Sequence, residues 1–350
     1  MPSYVVPLAD ASSAAEVGGK GASLGDLARI GVRVPPGFVI TVGAFAESMA
    51  ALDPDGALRA GVEALPAGDL AAIARTAAAF RSRVADAPLP AGVAAAIEAG
   101  YAELGGPAAD VAVRSSATVE DSAEASFAGL QDTYLGISGA ASVLEHVRRC
   151  WASLYNDESV AYRRRLDMPE DGIAMAVVVQ RMVRPRAAGV MFTRSPVTGD
   201  RSVVAIEGTW GLGSALVSGD VTPDSFVISK ITGEITGRRV SAKDRLHSFI
   251  PNGPGVTVTD TPADLREAPC LTDDEIRALA DAGRRVEAHH GAPQDVEWAL
   301  LEEEDASAAD RIVMLQCRPE TVWAARGAAP VAAPKPHAAD HVLALFGKPM

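Results

Sequence analysis

Cysteine is scarce in these 350 residues: Cys150, Cys270 and Cys317 have neither paired nor metal-type spacing. Neither a disulfide framework nor a cysteine zinc site is indicated, and a reducing cytoplasm is the expected compartment. Positive charge is short as well, with 32 Lys and Arg against 45 Asp and Glu and a formal net charge of −13. No net positive field is left to displace counterions from a phosphate backbone, so nucleic acid is not an expected partner. Apolar runs stay below the roughly 18 residues of a membrane span, and no basic segment with an apolar run opens the chain. An unexported protein away from membranes is expected. Internal repeats are lacking too. A P-loop is missing: "VGGKGASLGDL" has Ala14 where the pattern needs its first glycine, and Gly21 where it needs a hydroxyl residue after Lys20.

What is present is an ordinary core-forming chain, 48% hydrophobic with a mean hydropathy of +0.12, long enough for two packed domains. Leu24, Leu27 and Ala28 share a helical face, so Lys20 stands just before a short helix that Gly31 stops, and the strand "FVIT" follows a Pro-Pro-Gly turn. Residues 57–104 read as two or three Ala-rich helices. "DVAVRSSATVEDSAEASFAGLQDTYLG" reads as a strand ending at Arg114, a small-residue acidic loop, and a second strand over residues 133–135. In the helical segment after it, Val143, Val147, Trp151, Leu154 and Tyr155 lie on one side, and Arg163, Arg164 and Arg165 are expected on a solvated face. "IAMAVVVQRMV" suggests a strand buried on both faces. "RAAGVMFTRSPVTGDRSVVAIEG" and "DSFVISKITGEITGRRVSA" read as hairpins, "TWGLGSALVSG" as a glycine-bearing loop or short helix, and "TDDEIRALADAGRRVEAHHG" as a helix capped by Thr272.

Strand periodicity makes the last hairpin informative. In "DVEWAL", Val296, Trp298 and Leu300 face one way, and Asp295 and Glu297 the other. In "RIVMLQCRPET", Ile312, Met314, Gln316 and Arg318 are expected on one face, opposite Val313, Leu315 and Cys317. Pairing of the two strands brings a carboxylate, a carboxamide and a guanidinium together. Two readings stay open for this set: oxygen ligands for Mg²⁺ beside a phosphate-binding arginine, or an exposed polar sheet face. Lys20 before a helix N-terminus and Arg114 before a small-residue loop are either surface cations or further anion contacts. An acidic protein that holds a nucleotide triphosphate must supply such cations.

The motifs "GGKGASLGDLARIGVRVPPGF", "VRSSATVEDSAEASFAGLQDTYLG", "VVQRMVRPRAAGVMFTRSPVTGD", "EGTWGLGSALVSGDVTPD" and "QDVEWA…LQCRPET" occur in that order. Together they closely resemble the ATP-binding domain of the phosphoenolpyruvate synthase and pyruvate, phosphate dikinase superfamily, to which rifampin phosphotransferase and the split phenylphosphate synthase belong. The resemblance implies an α+β, ATP-grasp fold with ATP and Mg²⁺ held between two subdomains. It places Lys20, Arg114 and Arg318 on phosphates, and Gly129 and Thr133 on a lid. Gln180, Arg181, Met182 and Val183 become a hinge against adenine, and Glu297 and Gln316 become Mg²⁺ ligands. The glycines around Lys20 are expected to leave room for the closing lid. Where relatives often read "FAGQ" and "WGLGE", this chain has Leu130 and Ser214, so phosphate handling or partner contact is expected to differ.

The expected division is residues 1–185 and 186–325 for the two subdomains and 326–350 for an Ala/Pro linker and tail. None of the six histidines lies in a glycine- and threonine-rich phosphohistidine motif, His337 and His341 read as linker residues, and no Ser/His/Asp or Cys/His arrangement suggests a nucleophile. By the resemblance, the chain is an ATP-binding subunit of a split dikinase-type phosphotransferase. Its partner is a separate phosphohistidine-carrying and acceptor-binding domain or subunit, and AMP and phosphate are the overall products. An excised domain of a longer antibiotic-modifying or pyruvate-using enzyme, and a non-catalytic ATP-binding regulator, are the alternatives.

Overall fold

The computed structural model describes residues 3–118, 121–122, 125–126, 132–250, 253, 255–303, 306–321 and 323. The first half runs β1 (Val5–Pro7), α1 (Ala14–Arg29), β2 (Gly37–Ile40), α2 (Val42–Leu52), α3 (Ala57–Glu63), α4 (Leu70–Asp86) and α5 (Ala91–Glu103). It continues with β3 (Val111–Ala117), the short ribbon β4 (Asp121–Ser122) and β5 (Ala125–Ser126), β6 (Thr133–Ile137), α6 (Ala140–Ala152), α7 (Asp157–Arg165) and β7 (Met175–Arg181). The second half holds β8 (Pro185–Phe192), β9 (Val203–Trp210), α8 (Ser214–Val217), β10 (Asp224–Ser229), β11 (Ile235–Arg239), β12 (Arg245–Phe249) and β13 (Val256–Asp260). It ends with α9 (Ala263–Arg266), α10 (Asp273–His290), β14 (Gln294–Leu301), α11 (Ala308–Arg311) and β15 (Ile312–Pro319). Among the described residues no helix is long and apolar enough to cross a membrane.

This is the expected α+β fold. One antiparallel sheet has the order β1-β2-β7-β3-β6, and a second has the order β11-β10-β9-β8-β14-β15. The apolar run of β7 is explained by its central place. Val177 and Val179 pack with Phe45, Phe80 and Trp151 of the helical layer, whereas Ala176 and Val178 pack with Leu24 and Leu27 of α1. Helix α1 is common to both sheets. Ser23 Oγ donates to the Cys317 carbonyl at 2.6 Å, and just beyond the helix the Arg33 carbonyl accepts from Met314 N at 2.9 Å, so α1 and its exit loop cover the outer edge of β15. One apolar cluster therefore runs from α1 through Trp298 and Met314 to Leu279 and Val286 of α10. Helix α10 starts at Thr272, as expected, with a full capping box in which Thr272 and Glu275 exchange hydrogen bonds.

Four expectations need correction. Strand β3 continues past Arg114 to Ala117, because Ser115, Ser116 and Ala117 pair with Val177, Ala176 and Met175. Helix α1 begins at Ala14, before Lys20, and is broken within by Gly18 at φ 69°. Arg163 and Arg164 are buried, and only Arg165 is exposed. Arg163 donates to both carboxylate oxygens of Glu170 at 2.9 and 3.1 Å and to the Leu154 carbonyl at 2.8 Å, a satisfied ion pair under the helical layer. The fourth correction lies in the last hairpin. A bulge shifts its register, so that Glu297 opposes Gln316 while Trp298 opposes Met314. Ile312 and Met314 consequently join the core with Trp298. Cys317 joins it too, opposite Val296, and Gln316 and Arg318 leave for the face of Glu297 and Asp295. The expected carboxylate, carboxamide and guanidinium share a face, but the extra residue at Leu315 puts them there.

Candidate nucleotide cleft

A cavity of about 420 Å³ opens between the two sheets, within the range of small-molecule sites. Of the residues singled out from the sequence, Arg114, Thr133, Gln180, Arg181, Met182, Val183 and Glu297 line it. Gln316 accepts from Arg114 and does not itself line the cavity. Lys20 and Arg318 are not on its wall, and Gly129, like Leu130 and residues 326–350, lies outside the described residues.

Arg114 is the junction. It stands on β3 of the first sheet and reaches across to the β14–β15 hairpin of the second. Its Nη1 donates to the Leu315 carbonyl at 2.8 Å, and its Nη2 donates to Glu297 Oε2 at 3.1 Å and to Gln316 Oε1. The bulge matters here, because it exposes the Leu315 carbonyl and aims the Gln316 amide at the same point. Arg114 Nε is buried without a hydrogen-bond partner among the described residues. An arginine with an unused buried donor is not fully satisfied by its present partners.

The segment expected as a hinge, residues 180–183, forms another part of the wall. Gln180 is buried and donates Nε2–H to the Pro35 carbonyl at 3.2 Å. The amides of Arg181 and Met182 donate to the Pro36 and Asp110 carbonyls, each at 2.8 Å. These bonds fix the chain as it passes from β7 to β8.

Lys20 is half-buried and sits two residues beyond the Gly18 break, in the first turn of the second segment of α1. Ser116, two residues beyond Arg114 on the same face of β3, holds this turn. Its Oγ accepts from Gly21 N at 3.1 Å and donates to the Val17 carbonyl at 2.9 Å. A Cβ on Gly18 would lie 2.0 Å from the Ser116 carbonyl oxygen, and its φ is positive, so only glycine fits. Gly21 and Gly25 are likewise closed in, by Val39 and the Ala11 carbonyl. Gly18 and Gly21 let the helix approach the sheet and Gly25 lets it approach the Leu8 and Ala11 carbonyls, while the loop expected as a lid over them falls largely outside the described residues. Ser116 was missed in the sequence, although strand alternation from Arg114 places it.

With this geometry in view, similarity to known proteins settles the family. The family model described as "Pyruvate phosphate dikinase, AMP/ATP-binding domain" matches residues 14–338. The chain belongs to that family. It is 48% identical to a rifampicin phosphotransferase of Streptomyces sp over 293 residues, which cover 83% of this chain and 33% of that protein. It is 41% identical to a probable phosphoenolpyruvate synthase of Methanothermobacter thermautotrophicus over 308 residues, covering 87% of this chain and 44% of that protein. A rifampicin phosphotransferase of Bacillus subtilis is 38% identical over 306 residues, 87% of this chain and 34% of its own. The chain thus spans between a third and under half of the length of these curated relatives.

Two further arrangements mark this member of the dikinase AMP/ATP-binding family. Ser214, on the cavity wall, lies 3.0 Å from His247 Nδ1, and His247 Nε2 lies 3.1 Å from Asp220 Oδ2. The expectation of no Ser/His/Asp arrangement is therefore corrected; β12 supplies a histidine 33 positions away, which no local pattern reveals. Gly211, at φ 68°, permits this approach, since a Cβ there would lie 2.5 Å from the His247 carbonyl oxygen. Asp220 is held below the usual carboxylate range by the Ser218 hydroxyl and by His247. The Ser214 hydroxyl, the His247 ring and the Asp220 carboxylate thus form one chain of polar contacts that reaches the cavity wall. The second arrangement is Asp295 beside Arg318, at 3.5 Å, with the arginine half-exposed. Burial pushes the Asp295 carboxyl up to about 6, against the opposing pull of Arg318.

Proposed function

We propose that the cleft binds Mg-ATP and that the chain passes a phosphoryl group to a histidine on a separate domain or chain, with AMP and phosphate as overall products. The observation that carries this reading is Arg114. A cationic nitrogen from one sheet sits between the oxygens of Glu297 and Gln316 from the other, so the donor set already surrounds positive charge. Two hard oxygen donors of this kind suit Mg²⁺, which Glu297 and Gln316 would hold and which, when bound, neutralises phosphate charge. Arg114 then exchanges its carboxylate for phosphate oxygens, and its idle Nε gains a partner. Lys20 and Arg318 complete the cation set from the α1 turn and from β15. Because the Arg181 and Met182 amides are spent on Pro36 and Asp110, base recognition falls to Val183 and the hinge carbonyls. The acceptor is a small pyruvate-like, phenolic or other alcohol bound on the partner.

Similarity to a rifampicin phosphotransferase and to phosphoenolpyruvate synthases supports phosphotransfer. The partial coverage of those relatives supports a histidine that comes from elsewhere. The test mixes the purified chain with histidine-carrying candidate partners and follows the nucleotide products. AMP formation that needs the partner is expected. ADP as the sole product sinks the dikinase reading, and tight ATP binding without turnover for any partner favours a regulator.

A further inference from the structure

Away from the cleft, Asp26 of α1 meets His289 and His290 at the C-terminal end of α10. Their ligand atoms all lie within 4.8 Å of one another, the one group of three metal-ligating side chains that converges among the described residues. Asp26 Oδ2 is 2.8 Å from His289 Nε2 and 3.6 Å from His290 Nε2. The two rings stand nearly perpendicular, at 78°, so neighbouring residues in one helix point their nitrogens at one place. Gly291 ends the helix in the left-handed region directly after them.

The simple alternative is an ion pair between His289 and Asp26. It leaves His290 Nε2 buried without a hydrogen-bond partner among the described residues, facing the same carboxylate oxygen from beyond bonding distance. A divalent transition ion accounts for all three atoms. Around tetrahedral Zn²⁺, with bonds near 2.0–2.1 Å, ligand atoms lie about 3.4 Å apart, so the three need to shift by about 1.5 Å at most. The other oxygen of Asp26 accepts from Arg29 at 3.2 Å, and Arg29 also donates to the Ala11 carbonyl at 2.9 Å. This outer contact fixes the carboxylate and leaves Oδ2 as its single donor. None of the three side chains is sealed off, so an ion and a fourth, water ligand can enter.

We propose that Asp26, His289 and His290 form a site for a divalent transition ion of the Zn²⁺ class, with three protein ligands and one open position. The ion joins α1, which carries Lys20, to α10, which packs under the second sheet. It therefore fastens the helix shared by both sheets without entering the cleft.

The test titrates the full chain with Co²⁺ and Zn²⁺ at neutral pH without nucleotide, reading visible ligand-field bands for Co²⁺ and calorimetry for Zn²⁺. One ion per chain with a tetrahedral Co²⁺ spectrum is expected, together with a rise in melting temperature. Asp26→Asn, nearly isosteric, and the pair His289→Asn with His290→Asn should each weaken Zn²⁺ binding at least about tenfold and remove the bands. Circular dichroism checks that the variants fold. No saturable Zn²⁺ binding, or binding of unchanged affinity and spectrum in both variants, overturns the proposal, the latter by assigning the ion to other histidines.

Discussion

Two arginine–glutamate pairs in this molecule differ in what surrounds them. Arg163 and Glu170 are seven residues apart in sequence and about 1% exposed on each side, and two parallel bonds plus a backbone carbonyl satisfy the guanidinium. Arg114 and Glu297 are 183 residues apart, join two sheets, and leave the carboxylate 36% exposed and Arg114 Nε idle. The first pair is sealed from solvent and its bonds are made. The second borders a cavity and has spare hydrogen-bonding capacity. Identical chemistry thus serves cohesion in one place and, on the proposed reading, exchange in the other, and burial and satisfaction separate the two.

The comparison breaks most visibly if the buried pair is cut. Arg163→Ala leaves Glu170 as an uncompensated buried charge and should cost about 3–5 kcal/mol of folding stability, read from urea unfolding. A loss below about 1 kcal/mol would put the pair on the same footing as the cleft pair. Arg114→Ala should do the reverse. Stability should change by about 1 kcal/mol or less, because the pair is part-exposed. ATP affinity should fall about ten- to a hundredfold, the value of a charge-assisted contact, as read by calorimetry. Full nucleotide affinity in that variant would remove Arg114 from the site.

The contrast was only half visible in the sequence. Alternation found the faces of β14, the long valine run found the doubly covered strand β7, and Thr272 announced the start of α10. Each of these is a local signal, fixed by residues within one element. The burial of Arg163 was not visible, because three consecutive arginines match a solvated face and Glu170 belongs to the next turn of chain. Nor was the bulge at Leu315, since one inserted residue has no composition of its own and shows only as a register shift. In the site, Arg114, Glu297 and Gln316 were named from spacing and resemblance, but their mutual bonding depends on how the two sheets pack. His247 and Asp220 behind Ser214 needed the tertiary structure for the same reason.

Two smaller changes sharpen the exchange side of the comparison. Glu297→Gln removes the charge while keeping an oxygen, so the Mg²⁺ concentration for half-maximal ATP binding should rise several-fold, about 1 kcal/mol. An unchanged Mg²⁺ dependence would move the metal elsewhere. Ser214→Ala removes the hydroxyl that His247 contacts at the cavity wall. A loss of about 1 kcal/mol in nucleotide binding, roughly fivefold, is expected with Mg²⁺ dependence unchanged. If binding is untouched, the Ser214–His247–Asp220 chain ties α8 to β12 and takes no part in recognition.

The pair Asp295 and Arg318 stands between the two extremes, and pH separates its two descriptions. Asp295 is largely buried and its carboxyl titrates at about 6, above the ordinary value near 3.9, chiefly because burial disfavours the charge. A native pKa above the unfolded one means that the folded state binds the proton more tightly. The ionised carboxylate is therefore a folding cost, absent below about pH 4, growing as pH rises through 6, and complete above it. Asp295→Asn removes that titration, so the variant should be more stable than the parent at pH 8, with the difference shrinking as pH falls and levelling off near pH 4. Melting temperatures across pH 4–8 measure it. If the variant is instead less stable at pH 8, Arg318 outweighs the cost of burial and the pair is a structural one like Arg163 and Glu170. If the expected sign appears, Asp295 holds its charge at a cost beside an arginine that is half-exposed and able to turn to phosphate, which places this pair with Arg114 and Glu297.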